Sequence, residues 1–535
     1  MLGRFDFDRA KAYIDSRKDV LQRLAPTFPN QIQLMAMLTT FSHLSEVEKN
    51  YHNQPFPSQN QHSFLPTTSF LRKTKTLKDM YNDIHAELQQ LENLETNFNN
   101  KRKVITPNIF SPGSRSNKSP ADRSIDSPNG DQPQTSSSTT EKDSPTPQVP
   151  QSPGAAFRNS FFRVLSPISS SISISQSASV ATCDPYSLSS SSGYEPPPNS
   201  TTTTPVAHTL NLRDFSEELI SHFCLQLQNF IQARLDMIDV YEKLVEASSK
   251  KCTSVDGIAF RLSMLCRQYH KYFHHPLLAP IKEGMTLECE SLMTLIRATI
   301  DMQHWRFLPT LFDLQDAQTK LNYWAASTFN KEASKRRFKV SKTQAAPRLY
   351  EWLCKFREFL VAKFTLYFHA TLTRSFPAVS FKNSSSKLTI DYYAKLSSFQ
   401  RKLDAIFIAL MYDISNEKDF RGLGYNFPSR DYQQPQGKNT LQPMVVIPAE
   451  GRAKLDSLQA EIYMIVMTNQ QLMIKEGHYQ FHDSIKKLTY SITKPDFNIV
   501  LVIVCEGQKP DRDAYMRSFS IEITNQFAIF NIFSA

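Results

Sequence analysis

Two short stretches carry residue types that could bind a cofactor or a metal, and each lacks part of what that chemistry requires. Gly422 and Gly424 begin a dinucleotide-binding pattern, but Phe427 stands where the third glycine belongs and no helical pattern follows, which indicates a loop. His85 and Glu87 match half of a zinc-deaminase motif. The Pro-Cys-x-x-Cys half of that motif occurs nowhere in the chain, so His85 is expected on an ordinary helix surface.

A third candidate is a histidine pair in a segment predicted as helical, residues 470–486. His478 and His482 are four residues apart and could share a metal ion, but the spacing offers no third ligand, which favours a solvated helix face. The chain also lacks a phosphate-binding loop, a Gly-x-Ser-x-Gly elbow and a His-Glu-x-x-His motif. We therefore expect no catalytic residue, no metal site and no cofactor, and hence no enzyme.

Composition argues against nucleotide binding, nucleic-acid binding and a membrane-spanning segment. The chain has 535 residues, a net charge of +10 and only 13 glycines, and glycine is what phosphate-cradling loops require. Its aromatic residues recur at helical core spacing and its lysines are dispersed, which favours core packing over nucleic-acid binding. The longest aliphatic run, Ile499 to Cys505, is too short to span a bilayer, so membrane association is expected to be peripheral or through a partner.

Cysteine usage indicates a reducing compartment. The seven cysteines are odd in number, widely spaced and never in a Cys-x-x-Cys pair, which is typical of reduced thiols in a cytosolic protein. Neither a disulfide framework nor a zinc ribbon is indicated.

Amphipathic helices dominate the first 385 residues. Helical periodicity predicts segments from Asp6 or Asp8 to Leu24, around residues 34–44, from Thr76 to Leu94, and from Asp214 to Ala247. On the last and longest of these, Arg234, Asp239 and Lys243 are assigned to the solvent side, with Asp239 and Lys243 as an i,i+4 pair. Residues 272–324, with two of the three tryptophans, are predicted to form the centre of the core.

The periodicity changes after residue 387. Three apolar runs indicate buried strands, and a fourth segment, residues 488–493, joins the last of them through a Lys-Pro-Asp turn as an antiparallel hairpin. The three runs are Ala405 to Tyr412, Glu461 to Met467 and Phe497 to Val504. Helices at residues 390–403, 470–486 and after 511 are predicted to cover one face of this sheet.

A long segment rich in Ser, Thr, Pro, Asn and Gln separates the early helices from the later ones. It cannot bury enough apolar surface to offset its ordering entropy, so it is predicted to be disordered. It contains seven Ser/Thr-Pro pairs, for which proline-directed phosphorylation and mere linker composition are both open. These candidates are Ser111, Ser119, Ser127, Ser144, Thr146, Ser152 and Ser166.

The predicted fold class is α+β and multidomain: an N-terminal all-α helical bundle followed by a small two-layer α/β domain, with a long disordered insert. The bundle is assigned to residues 1–100 and 208–385, the insert to 101–207, and the α/β domain to 386–535. A flexible coil of that length reaches roughly 55 to 60 Å, so both helical pieces can share one bundle.

Several motifs resemble the second subunit of the KICSTOR complex. They include Glu48 to His52, Gln232-Ala233-Arg234 with Tyr241-Glu242-Lys243, Tyr272 to Leu278, Trp305 to Pro309, Ala317 to Leu321, Ala362 to His369, Gly422 to Tyr425, and Phe497 to Glu506. The resemblance covers nearly everything except the insert. The insert and the apolar end of the chain, Phe527 to Phe533, depart from the family pattern.

The resemblance implies a non-enzymatic scaffold that works with kaptin, the integrin-alpha FG-GAP repeat protein and the very large seizure-threshold protein. It further implies that the assembly resides peripherally on the lysosomal membrane from the cytosol, recruits the GATOR GTPase-activating complex, and restrains TOR signalling during amino-acid or glucose deprivation. The alternative is a membrane-trafficking adaptor or a direct regulator of a small GTPase.

A loop between two predicted strands is the candidate partner contact. It is rich in Gly, Tyr and Arg, residue types that serve well at interfaces, although a purely structural crossover stays open. The contact residues assigned to it are Arg421, Gly422, Tyr425, Arg430 and Tyr432.

Overall fold

The computed structural model describes the helical and strand-forming parts of the chain on both sides of the insert. The described residues are 6–23, 31–53, 76–105, 212–249, 255–330, 346–415, 417, 420 and 434–527. Residues 106–207 of the predicted insert lie outside them, whereas its first five residues, 101–105, are helical.

Helices make up the described chain as far as residue 403. Those before the insert are α1 (Phe7–Arg23), α2 (Gln31–Asn53) and α3 (Leu77–Ile105). Those after it are α4 (Leu212–Ser249), α5 (Asp256–Tyr272), α6 (Ala279–Gln303), α7 (Phe307–Ala325), α8 (Arg348–Tyr367), α9 (His369–Ser375), α10 (Ala378–Ser385) and α11 (Tyr392–Leu403). The predicted helical segments are confirmed, and the bundle includes helices from both sides of the insert, since α3 packs on α4 and α2 contacts α8.

A mixed region of strands and helices follows. Its elements are β1 (Phe407–Asp413), β2 (Leu441–Ile447), α12 (Arg452–Thr468), α13 (Gln470–Glu476), β3 (Tyr479–Asp483), β4 (Leu488–Asp496), β5 (Ile499–Glu506) and α14 (Pro510–Phe527). The five strands form one antiparallel sheet in the order β2-β1-β5-β4-β3. This confirms the α+β fold class and the predicted β4–β5 hairpin.

Alternation along the strands divides the core between two faces of the sheet. Ile408, Leu410 and Tyr412 of β1 belong to a large hydrophobic cluster that continues through the helical bundle and includes α14. Phe407 and Met411 point the other way, into a second cluster covered by α12. Since side chains alternate at every residue of a strand, both faces of β1 are buried.

Two sequence predictions for this region are wrong. Glu461 to Met467 is helical, not a strand, because a short apolar run does not by itself distinguish the two. The buried residues of α12 are Leu455, Leu458, Ile462 and Val466. Their helical spacing is recognised only when the residues before Glu461 are included.

The helix predicted for residues 470–486 is also too long. α13 ends at Gly477, whose left-handed φ of 72° caps it, and the edge strand β3 follows. β2 was not predicted as a strand at all.

Close packing of α12 on β1 gives a first stability prediction. A Cβ placed on Gly451 would lie 2.8 Å from the Cβ of Phe407. Gly451→Ala is therefore expected to lower the free energy of unfolding by about 1–3 kcal/mol, because β1 and the start of α12 must move apart. Urea denaturation measures this.

The matched control is Gly284→Ala in α6, where a Cβ would meet nothing within 4 Å. It is expected to be neutral or to stabilise by up to about 1 kcal/mol, because alanine favours a helix interior. The explanation is wrong if the two variants denature at the same urea concentration.

Candidate functional site

A buried group of charged and hydroxyl-bearing residues lies where four helices of the bundle meet. We call it the central charge cluster. Its members come from α2, α3, α4 and α6 and are Glu48, Tyr51, His52, Tyr81, Arg234, Tyr241 and Glu288.

Arg234 is the centre of this cluster. Its guanidinium binds Glu48 with two hydrogen bonds of 3.0 Å and Glu288 with one of 2.6 Å. Arg234 is 3% exposed and Glu288 is 0% exposed, so these ion pairs are shielded from solvent. The assignment of Arg234 to the solvent side of its helix is therefore wrong; the planar fork of the side chain satisfies carboxylates on two other helices.

Three tyrosine hydroxyls complete the shell around the two carboxylates. Tyr51 and Tyr241 donate to Glu288 Oε1 at 2.5 and 3.0 Å, and Tyr81 donates to Glu48 Oε1 at 2.7 Å. Burial, together with the nearby carboxylates, raises the pKa of each tyrosine well above its ordinary value. The hydroxyls therefore keep their protons. As neutral hydrogen-bond donors they stabilise the two glutamate carboxylates, which share the single positive charge of Arg234.

The cluster gives the fold an acid-sensitive contribution. Burial alone would raise the pKa of Glu48, but Arg234 and His52 outweigh it and lower that pKa from 4.5 to about 2. A carboxyl whose folded pKa lies below its unfolded value stabilises the fold above pH 4.5 and loses that contribution as pH falls toward 2. We expect the melting temperature to drop across this window.

Thermal melts at half-unit pH steps measure this, and Glu48→Gln is the informative variant. It should start at a lower melting temperature at pH 7 and show a shallower decline between pH 4.5 and 2 than the natural chain. A Glu48→Gln profile as steep as that of the natural chain would assign the acid sensitivity to other carboxylates.

A second buried group, the junction cluster, joins the bundle to the sheet. Lys363 and Tyr367 on α8 both donate to Asp496 Oδ2 at the end of β4, at 2.5 and 2.7 Å, and Lys363 also donates to the Phe527 carbonyl at 3.2 Å. Lys363 is 2% exposed. Since Phe527 ends α14, the cluster fixes α8, the β4–β5 hairpin and the last helix at one point.

A third group, the loop-anchor cluster, holds the start of the candidate contact loop. Glu417 Oε1 accepts hydrogen bonds from Tyr412 at 3.2 Å and Asn498 at 3.0 Å, and lies 2.8 Å from His304 Nδ1. Gln434, beyond the loop, donates to the Glu417 carbonyl at 3.2 Å. Glu417 and Gln434, which flank the interval 418–433, therefore contact each other, and Glu417 also contacts the bundle at His304.

The residues assigned to partner contact lie within that interval and outside the described residues, so their role stays a prediction. They are Arg421, Gly422, Tyr425, Arg430 and Tyr432. The phosphorylation candidates also lie outside the described residues: Ser111, Ser119, Ser127, Ser144, Thr146, Ser152 and Ser166.

The two histidines considered as metal ligands each form a hydrogen bond with a different hydroxyl group. His478 Nε2 lies 2.9 Å from the Ser491 hydroxyl, and His482 Nδ1 lies 3.0 Å from the Thr489 hydroxyl. Both histidines lie at or in β3 and not on a helix, and burial lowers the pKa of His478. Within the described ranges, no three His, Cys, Asp or Glu side chains come together in a way that would hold a metal ion.

The charged side chains of these clusters are paired with one another and enclosed by protein. The Arg-Glu pairs fix helices of the bundle against one another, and the Lys-Asp pair fixes the bundle against the sheet. In the parts of the chain that the structure covers, no helix combines the length and apolarity needed to cross a bilayer.

Several of the motifs that carry the family resemblance contribute residues to these clusters. Residues 1–115 and 199–535 match the family described as "KICSTOR complex C12orf66 like". The chain belongs to this family. The unmatched residues, 116–198, fall within the predicted insert, so the family pattern consists of the bundle and the sheet.

Two curated relatives support the assignment. A protein named "KICSTOR subunit 2" from Xenopus laevis is 34% identical over 313 residues, which cover 58% of this chain and 70% of that protein. A protein of the same name from Danio rerio is 24% identical over 525 residues, which cover 98% of this chain and 90% of that protein. The resemblance of this family member to its relatives therefore extends across both structural regions.

Structure explains part of the family motifs. Glu48, Tyr51 and His52 come from one motif, and Arg234 and Tyr241 come from another. They meet in the central charge cluster, and Lys363 of a further motif lies in the junction cluster. Sequence reasoning missed Glu288 and Glu417, because neither stands in a pattern that distinguishes it from a surface glutamate.

Proposed function

We propose that this chain is a non-enzymatic scaffold subunit of a KICSTOR-type complex. The observation that carries the proposal is the family match on both sides of the insert, together with relatives that are named as subunits of that complex. The buried clusters support it, because a scaffold must hold several surfaces in fixed relation. The central charge cluster joins helices of the bundle, and the junction and loop-anchor clusters join the bundle to the region of the sheet.

The finer proposal is that the assembly recruits the GATOR GTPase-activating complex to the lysosomal membrane. There it would restrain TOR signalling when amino acids or glucose are scarce. In this arrangement a GATOR component supplies catalysis, while kaptin-like, integrin-alpha FG-GAP repeat-like and seizure-threshold-like subunits supply further contacts. The chain reaches the membrane through these partners.

Co-purification tests the proposal. Tagged full-length chain, isolated from cells starved of amino acids, is expected to recover the large seizure-threshold-like subunit and GATOR components, and to colocalise with a lysosomal membrane marker. Recovery of the folded chain without either partner would contradict it. Direct binding of the full-length chain to purified Rag GTPases without GATOR would instead favour the GTPase-regulator alternative.

The loop held by Glu417 gives a prediction about where a partner binds. Arg421→Glu with Arg430→Glu is expected to reduce partner recovery at least about tenfold, equivalent to about 1.4 kcal/mol, because the reversed charges oppose a complementary acidic surface. Quantitative co-purification measures the loss.

Lys382→Glu is the matched control, since Lys382 is exposed on α10 and far from this loop in sequence. It is expected to leave recovery unchanged. Equal recovery for the loop variant and this control would remove the loop from the contact surface.

A further inference from the structure

The sheet has two edges, and the described residues cover them differently. β2, at one edge, contacts α8, α9 and α11, and most of its residues are buried. β3, at the other edge, pairs with β4 alone among the described strands, and each of its residues is at least partly exposed. Alternate residues of an edge strand direct their N–H and C=O groups away from the sheet. β3 therefore presents these groups to an incoming strand.

β3 lacks the features that usually prevent an edge strand from pairing with another chain. Its sequence, Tyr479 to Asp483, contains neither proline nor lysine, and its register with β4 has no bulge. Phe481, at its centre, is 40% exposed, and Ile485 in the following turn is 94% exposed. An open apolar edge of this kind is a typical site for the addition of a partner strand.

The side of β3 that faces α12 is apolar. Phe481 lies opposite Tyr490 of β4, with ring centroids 6.1 Å apart. The Tyr490 hydroxyl donates to Glu461 of α12 at 3.0 Å, and Met464, one turn further along that helix, is 60% exposed. Phe481 and Met464 are therefore available to apolar side chains of an added strand.

The opposite side of the sheet is covered by α14, which lies along β4. The Ser520 hydroxyl oxygen is 3.5 Å from that of Ser491, and the Thr524 hydroxyl oxygen is 3.1 Å from that of Thr493. Helix and strand therefore advance in the same direction. The turn of α14 before Ser520 must lie near the preceding residues of β4.

That preceding turn carries Arg517, which is exposed. Arg517 is three residues before Ser520 and so lies on the same side of α14. This places it near Thr489 of β4, whose partner on β3 is His482. Arg517 therefore puts positive charge beside the edge strand, on the side away from Phe481.

Further charges lie at the ends of β3. Lys475, near the end of α13, and Lys487, in the connection to β4, are both exposed. The Asp483 carboxylate, at the last residue of β3, accepts hydrogen bonds of 2.8 and 3.1 Å from two backbone N–H groups of the following turn. The exposed cations match an incoming strand that carries carboxylates.

We propose that the β3 edge binds an extended acidic segment of a partner subunit, which joins the sheet beside β3. The backbone of this segment pairs with the outward N–H and C=O groups of β3. Apolar residues at alternate positions lie beside Phe481 and Met464, and carboxylates at the positions between them face Arg517. The assignment to a partner subunit rests on the proposed function, whereas the peptide measurement below tests the edge by itself.

Peptide binding to the full-length chain tests the proposal. The probe is a fluorescein-labelled peptide of about eight residues that alternates Glu and Val, a length typical of strands. Fluorescence anisotropy is expected to detect binding, and hydrogen exchange in β3 is expected to slow when the peptide is added, because outward N–H groups become paired. A peptide that alternates Lys and Val is expected to bind at least about tenfold more weakly, and so is the Glu-Val peptide with alternate backbone nitrogens methylated.

Two variants locate the contact. Arg517→Glu is expected to weaken binding of the Glu-Val peptide at least about tenfold by charge reversal. Phe481→Thr is expected to weaken it about tenfold, because it removes the exposed ring and keeps a residue that favours strands. Lys402→Glu is the matched control, since Lys402 is exposed on α11, which contacts β1 and β2. It is expected to bind the peptide as the natural chain does.

The natural chain alone can overturn the proposal, so a variant that fails to fold does not decide it. The proposal is wrong if the Glu-Val peptide leaves hydrogen exchange in β3 unchanged, or if the Lys-Val or methylated peptide binds equally well. It is also wrong if sedimentation shows a dimer of the chain in which β3 is already protected, because a second copy then occupies the edge. Equal peptide binding by Arg517→Glu and Lys402→Glu would likewise contradict it.

Discussion

Arg234→Met is expected to lower the free energy of unfolding by about 3–5 kcal/mol, enough to unfold much of the chain at physiological temperature. The substitution keeps the apolar volume of the side chain but leaves Glu48 and Glu288 buried without their positive partner. Removing one partner of a buried ion pair costs far more than the pair itself contributes, because the remaining charge stays desolvated. Chemical denaturation followed by circular dichroism measures the loss.

The control is Arg261→Met on the neighbouring helix α5. Arg261 pairs with Asp239 at 3.0 Å, but its side chain is 35% exposed, so the expected loss is below about 1 kcal/mol. If both arginine variants lower the free energy of unfolding equally, burial of the ion pairs in the central charge cluster does not explain the loss. A triple variant in which Glu48 and Glu288 also become Gln is expected to regain part of the loss.

Asp496→Asn is expected to have the second-largest effect, again about 3–5 kcal/mol. It removes the counter-charge of Lys363, whose ammonium then has the Phe527 carbonyl and nearby aromatic rings as its remaining partners. The loss should be concentrated where the bundle meets the sheet. Hydrogen exchange should show faster exchange in β4, β5 and α14 than in α6 and α7, and calorimetry gives the total change.

Glu522→Gln is the control for this variant. Glu522 pairs with Lys395 at 2.6 Å on the surface, where the glutamate side chain is 54% exposed, so little change is expected. Lys363→Met combined with Asp496→Asn should be less destabilising than Asp496→Asn alone, because no unpaired charge stays buried. A more destabilised double variant would contradict the pairing argument.

Periodicity predicted most of the helices and the β4–β5 hairpin, because an amphipathic stripe records locally which face is buried. It failed at α12, where the apolar run 461–467 fits either structure, and at Arg234, where the type of residue indicated solvent. Asp239 also has a partner that sequence reasoning missed, since it lies 2.7 Å from Lys78 on α3. Contacts between residues far apart in the chain produce no regular spacing in the sequence. The three clusters could therefore be identified only from the structure.

Glu48 and Arg234 are 186 residues apart, and the insert lies between them. At the usual rates of synthesis, the ribosome adds the intervening chain in roughly 10–40 s. During that delay α2 has emerged with its carboxylate and apolar stripe while α4 and α6 do not yet exist. The nascent N-terminal segment therefore exposes apolar surface of the kind that chaperones bind.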